Sequence, residues 1–418
     1  MICMKTQSIT SLSYQIFIIF FIVNSSIAQV NDELYFYEYN NKCVSESQRQ
    51  HIIEEINDNI SKINFKPINN NKQSQFYWPL KANNALTFNN YYGISNFVDQ
   101  DTSNVLLDYN CSSRTYDGHK GTDIFTWPFP WYLYDNDFVE VIAAKEGIII
   151  NKHDGHDDDH CSWNMGGMWN AVYILHDDGS VAWYGHLKKN SLTNKSIGQS
   201  VLQGEYLGIV ASSGYSTGPH LHLEIHDSSN NIIDPFSGNC NFLNNSSWWT
   251  NQRSFREPNL NALLTHNAKP VHGCPMINEE PNMSNYFSIG DTIYFAAYYS
   301  DRENGDSAGY RIKDPYGNIW DSWSHVSSTT YNASWYYWKK LLPVNGPFGT
   351  WRFQVDFKGQ SYTHHFDYET VSSVEQINNN RKLLSIINVM GKESKELHNT
   401  PLFYIYENGE VEKKIILK

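Results

Sequence analysis

The chain has 418 residues, with 31 Lys and Arg against 44 Asp and Glu and a net charge of −13. That length exceeds one typical core and divides into two or three domains, while the acidic balance disfavours nonspecific nucleic-acid binding and leaves no basic patch for an anionic membrane. An aromatic content of 15% suits β-rich exported modules with sugar or peptide surfaces, without choosing between those ligands.

The chain opens with Lys5, an apolar run around Ile16 to Val23 and a small-residue site at Ser26, Ile27 and Ala28. This pattern predicts a secretory signal over 1–28, cleaved before Gln29. The apolar run is too short for a membrane span and no other stretch is longer, so no transmembrane anchor is expected. Beyond Cys3 in the signal, Cys43, Cys111, Cys161, Cys240 and Cys274 remain. Five is odd, so at most two intrachain bridges form and one thiol is left over. One bridge, unassigned, is expected near the segment 96–240, and Cys161 is equally readable as a core thiol.

Residues 29–95 read as a preface. Ile52, Ile53, Ile56, Ile60 and Ile63 recur at helical intervals and predict an amphipathic helix, followed by Asn- and Gln-rich loops. Such a segment serves either as a plug over a downstream cleft or as a plain cap and linker.

The densest chemistry lies between His119 and His222. In GHKGTDI, His119 and Asp123 are four apart, with Gly118 and Gly121 allowing a tight path. In PHLHLEIH, His220, His222 and Glu224 alternate with Leu221, Leu223 and Ile225, so a strand puts the polar set on one face and the apolar set in a core. Imidazole and carboxylate are ordinary zinc ligands, and a catalytic zinc takes three of them. His186 in WYGHL adds a further candidate, and spacing alone does not decide which of His220 and His222 would be a ligand. Tyr184 alternates onto the face of His186, as a substrate contact or as core. Asn170, Ser216 and Thr217 are candidate cleft residues. Asp178-Gly179, between VYILHD and SVAWYGH, is a hairpin signal. The run from Lys152 to Asn170 carries Asp157, Asp158, Asp159 and His160. It is read as a solvated loop rather than a second cation site, because contiguous carboxylates do not by themselves converge on one ion.

With these residues in hand, the segment from about 95 to 238 resembles the catalytic domain of the lysostaphin-type zinc endopeptidases, the M23 or LytM-like family, whose signature is H-x-x-x-D followed much later by H-x-H. The resemblance implies zinc held by His119, Asp123 and His222, with His186 and His220 as catalytic residues that are not ligands. General base and oxyanion donor are not separated between those two. Glu224 is read as an orienting group for an imidazole or as a surface carboxylate.

Downstream, residues 241–270 read as an aromatic linker, with Leu260 to Leu264 helical. Repeated strand signals over 271–370 predict a small β-sandwich. The stretch 371–418 resembles, in PLFYIY, the Asn408-Gly409 turn and the basic ending, a sorting module for type IX secretion; the alternative is an extra hairpin. The expected fold is therefore mainly β: an antiparallel-sheet LytM-like peptidase domain over 96–240 followed by the sandwich. The expected function is a zinc endopeptidase, secreted or at the cell surface, that cuts peptidoglycan cross-link peptides. The competing readings are a non-catalytic wall-binding scaffold and an exported metalloprotease acting on proteins.

Overall fold

The computed structural model describes residues 29–30, 43–63, 65–67, 75–274, 279–370, 383–389, 391–395, 400–406 and 411–415. The expected signal over 1–28 lies outside them, as does the Asn408-Gly409 turn. Among the described residues no helix is long and apolar enough to cross a membrane. The fold is mainly β, and its strand pairs are antiparallel except for Tyr286–Ser288 against Gln360–Glu369.

The site is carried by helix α1 (Glu46–Lys62) and by an eight-stranded sheet. The sheet's strands are β1 (Tyr92–Asn96), β2 (Thr122–Thr126), β3 (Gly147–His153), β4 (Ala171–Leu175), β5 (Val181–Gly185), β6 (Ser200–Val201), β7 (His220–His226) and β8 (Ile232–Ile233). Their order is β1-β2-β7-β5-β4-β3-β6, with β8 also on β7. β4 and β5 form the hairpin expected at Asp178-Gly179, where Gly179 takes φ +87° and Asp178 Oδ1 accepts from the Ser180 amide. Leu221, Leu223 and Ile225 of β7 enter a core with Val172, Ile174 and Tyr184, completed by a three-stranded sheet of Leu80–Ala82, Val139–Ile142 and Tyr206–Ile209. Leu80–Ala82 and β1 come from the expected preface, so the boundary at 95/96 cuts through a strand of the sheet.

The opposite face of the sheet is covered by α1. Ser45 caps the helix in a capping box with Gln48, and Ile52 and Ile56 pack on Tyr173, Leu175, Val181 and Trp183. Three polar ties fasten it. Arg49 pairs with Glu224 of β7, Glu55 accepts from Asn151 and His153 of β3 at 3.0 and 2.8 Å, and Asn59 donates to the Ile150 carbonyl.

The region read as a linker contains a strand instead of a helix. Asn259–His266 pairs with Thr292–Ser300, which pairs with Ala333–Leu341, and Gln29–Val30 adds to the outer edge. Leu260 and Leu263 face the sandwich core while Ala262 and Leu264 face a second cluster, which includes Phe125, Trp127 and Phe129. A strand buried on both faces loses the apolar-polar alternation that marks a strand in sequence, which is why NALL reads as helical. The second sheet of the sandwich has five strands between Tyr286 and Glu369. The sandwich is thus packed directly on the larger sheet, with a buried Arg114–Asp301 ion pair at 2.6 Å across the junction. Both bridges that five cysteines permit are formed, Cys111–Cys240 and Cys161–Cys274. Cys161 is therefore not a core thiol; it ties the 152–170 loop to the connection between the sandwich strands Asn259–His266 and Tyr286–Ser288. Leu383–Asn388, Pro401–Tyr406 and Val411–Ile415 make a separate three-stranded antiparallel sheet.

Candidate metal centre

The register of β7 against β2 pairs His222 with Asp123 and His220 with Phe125, which brings the two sequence motifs side by side. His119, on the turn before β2, closes the group. His119 Nε2, Asp123 Oδ1 and His222 Nδ1 form a triangle with edges of 3.2, 2.8 and 3.3 Å. Ligands at about 2.0–2.1 Å from a tetrahedral zinc lie about 3.3 Å from one another, so this triangle fits one face of such a site. The remaining polar atoms of these residues are occupied. His119 Nδ1 donates to the Phe97 carbonyl at 2.7 Å, His222 Nε2 donates to Glu224 at 3.2 Å, and Asp123 Oδ2 accepts from Asn96 at 3.2 Å. Those bonds fix the tautomer of each imidazole and turn its lone pair inward. Gly121 is a requirement of this packing, since a Cβ there would stand 2.6 Å from the His222 ring.

His186 and His220 complete the cluster from the other side, their rings 4.4 Å apart. Each Nδ1 donates to a backbone carbonyl, His186 to Ser213 at 2.6 Å and His220 to Gly218 at 2.8 Å. His220 Nε2 faces the triangle, 3.7 Å from Asp123 Oδ1, and the His186 ring lies 5.9 Å from that of His222. His186 reaches this position by leaving the strand. Its φ is +62°, so it turns back toward the β7 histidines while Tyr184 stays on the core face, where its hydroxyl accepts from the Ala144 amide at 2.9 Å. Simple alternation placed Tyr184 and His186 together, and the left-handed residue separates them. The face position at Gly185 is filled by Trp169, which a Cβ would meet at 2.2 Å.

The electrostatics follow from burial and from these neighbours. Burial alone would raise the Asp123 carboxyl, yet His119, His220 and His222 hold it well below the usual carboxylate range. Glu224, fully buried, is likewise held low by Arg49, His222 and His226 against the effect of desolvation. It is thus the orienting carboxylate for His222, not a surface group. Burial and the adjacent His220 push the His186 imidazole down.

Other candidates have structural employment. Asn170 accepts from the His156 amide and donates to the carbonyls of His156 and Leu187, so it braces the loop. Ser216 Oγ contacts Ser212 Oγ at 2.6 Å and His220 Nδ1 at 3.4 Å. The acidic loop does not gather an ion site: Asp157 pairs with Lys189, and Asp158 accepts from Tyr134 and the Lys189 amide.

Two participants had no functional reading in the sequence. Cys43, just ahead of α1, lies 6% exposed with its Sγ within 4.8 Å of the ligand atoms of His119, Asp123 and His222, and likewise of His186 and His220. Arg49 buries its guanidinium against Glu224. The signals were present: an odd cysteine count, and an Arg three and seven residues before Ile52 and Ile56 on the apolar stripe of the helix.

Residues 118–235 match the model of peptidase family M23. Over 144 residues the chain is 32% identical to the glycyl-glycine endopeptidase ALE-1 of Staphylococcus capitis, an overlap covering 33% of this chain and 34% of that protein. Over 84 residues it is 46% identical to the DD-carboxypeptidase/endopeptidase Mpg of Neisseria meningitidis serogroup B, covering 20% of this chain and 16% of the relative. The chain thus spans only about a third of the first relative and less of the second. Among solved structures, the catalytic domain of lysostaphin from Staphylococcus simulans is 28% identical and aligns with 28% of this chain and 76% of that one, at a TM-score of 0.20.

Proposed function

We propose that this chain is a zinc-dependent endopeptidase that hydrolyses peptide bonds in peptidoglycan cross-links, with His119, Asp123 and His222 as metal ligands and His186 and His220 as catalytic residues. The observation that carries it is the triangle of three inward-facing donor atoms whose other polar atoms are all engaged. Zinc, when bound, supplies Lewis acidity to the scissile carbonyl and lowers the pKa of a water toward neutrality. Asp123 and the two ligand imidazoles provide the charge and geometry that hold it. Glu224 keeps His222 in the tautomer that leaves Nδ1 free, and Arg49 keeps Glu224 charged. His186 and His220, each pinned through Nδ1, present Nε2 toward the reacting bond, where the pair takes up the proton of the attacking water, donates to the developing oxyanion and returns a proton to the leaving amine.

Export is supported by two disulfides, which persist in oxidising compartments, and by the signal pattern over 1–28. We accordingly place the protein outside the cytoplasm, secreted or on the cell surface, with the terminal three-stranded sheet as a sorting unit for type IX secretion. Peptidoglycan as substrate is our reading of the relatives above, which are named a glycyl-glycine endopeptidase and a DD-carboxypeptidase/endopeptidase.

The test is to measure bound metal in the mature protein, then incubate it, as wild type and as Cys43→Ala, with isolated wall sacculi and with an unstructured protein, identifying new amino termini by mass spectrometry. Stoichiometric zinc and new termini in stem or bridge peptides are expected. Cleavage confined to the protein substrate rejects the wall assignment, and absence of zinc rejects the metal assignment.

A further inference from the structure

We propose that Cys43 is a fourth metal ligand that holds the peptidase latent, so that the segment ahead of α1 is a removable thiolate plug. The inference rests on the reading of His119, Asp123 and His222 as ligands.

A catalytic zinc keeps one of its four positions open, whereas a site with four protein ligands is closed. The three donors of the triangle leave one position, and Cys43 Sγ is the further donor atom that the described residues place within 4.8 Å of all three. Thiolate is a preferred zinc ligand, and it binds by giving up its proton to solvent. Tyr116 OH lies 2.7 Å from the same sulfur and its ring stacks on His119 at 4.2 Å, so the thiol is positioned from a residue already packed on a ligand.

A second observation points to a ligand at the same spot. His186 Nε2 is completely buried and has no hydrogen-bond partner, although its Nδ1 is well bonded. Its free nitrogen belongs to the group that Cys43 Sγ completes with His220. An orphaned imidazole nitrogen shut away from water marks a place intended for something else, and the sulfur stands where substrate or water must come. All five site residues are at most 8% exposed, so no polymer reaches them in this state.

The plug is fastened rather than loosely laid. The capping box at Ser45 fixes the path two residues beyond Cys43, and Arg49 reaches Glu224, the carboxylate that orients His222. One segment therefore both fills the fourth position and completes the support of a ligand. Among the described residues the four other cysteines are paired in bridges, which leaves Cys43 as the free thiol. Removal of the segment ahead of α1 would vacate the fourth position while leaving Arg49 on Glu224.

The full mature chain, loaded with zinc, is to be examined by X-ray absorption at the zinc edge. A sulfur neighbour at about 2.3 Å is expected beside nitrogen and oxygen at about 2.0–2.1 Å. In Cys43→Ala the sulfur neighbour is lost, the sulfur-to-metal charge-transfer band of the cobalt-substituted protein disappears, and sacculus hydrolysis rises by ~10-fold or more, as for release of a mostly closed population. The wild-type spectrum decides the matter even if the variant does not fold. Zinc bound with nitrogen and oxygen neighbours alone overturns this inference and leaves the metal site standing; a chain that binds no zinc overturns both.

Discussion

His222 and His266 are both buried in β-strands, at 1% and 0% exposure, and their surroundings differ in kind. His222 lies among Asp123, Glu224, His119 and, through Glu224, Arg49. His266 sits in the sandwich junction, donating to the Pro281 carbonyl and contacting Tyr298 OH, and burial pushes its pKa down to about 3. His272 goes further: it is stacked between Phe129 and Trp127, neither ring nitrogen has a partner, and its pKa is also about 3. Aromatic neighbours make a histidine a neutral ring that fills space. Buried carboxylates, themselves held by cations, make it a donor aimed at a point. The chemistry of a buried histidine is thus decided by what lines its pocket.

The largest expected contrast is in metal content. His119→Ala and His222→Ala should each abolish stoichiometric zinc and all hydrolysis, whereas His266→Ala should leave zinc untouched, as read by metal analysis of folded protein. Loss of zinc in His266→Ala would break the distinction between the two regions. Next, His186→Ala and His220→Ala, tested in the Cys43→Ala background, should keep zinc and lower kcat by ~10²-fold or more, the scale of acid-base or oxyanion help. Emptying of the site in either variant would make that histidine a ligand.

Glu224→Gln should weaken zinc binding by about 10- to 100-fold, the usual effect of removing a carboxylate behind a ligating imidazole. Competition with a metal indicator reads this directly, and unchanged affinity would return Glu224 to a packing role. The smallest effect concerns the aromatic histidines. The folded pKa values of His266 and His272 are depressed, so the unfolded chain binds more protons between about pH 6.5 and 3 and stability falls as pH drops through that window. His272→Phe keeps the stack and should flatten this acid slope of the thermal midpoint, with a change within ~1 kcal/mol at neutral pH.

Much of the site is local in sequence. H-x-x-x-D and H-x-H state the donors, and the period of two in His220 to Ile225 assigns faces that the strand adopts, because side-chain alternation is a property of a strand whatever it pairs with. The hairpin at Asp178-Gly179 is equally local, since its three-residue loop, 177–179, ends on a glycine at positive φ and is closed by the Gly179 amide donating to the His176 carbonyl.

Tertiary structure decided the remainder. Donors 103 residues apart meet only because β7 pairs with β2 in the register that opposes His222 to Asp123. Alternation predicts the wrong partner for His186, whose φ of +62° is imposed by the close fit of Trp169 at Gly185 and by the Ser213 carbonyl. NALL is a strand because both of its faces find a core, a fact that belongs to the neighbours and erases the alternation. The odd cysteine could be counted from the chain, but its place beside the triangle depends on α1 lying across the sheet, with Arg49 reaching a carboxylate 175 residues away. Periodicity and turn chemistry are written within a few residues; which faces and donors come together is fixed by packing between segments distant in the chain, where no local pattern records the partner.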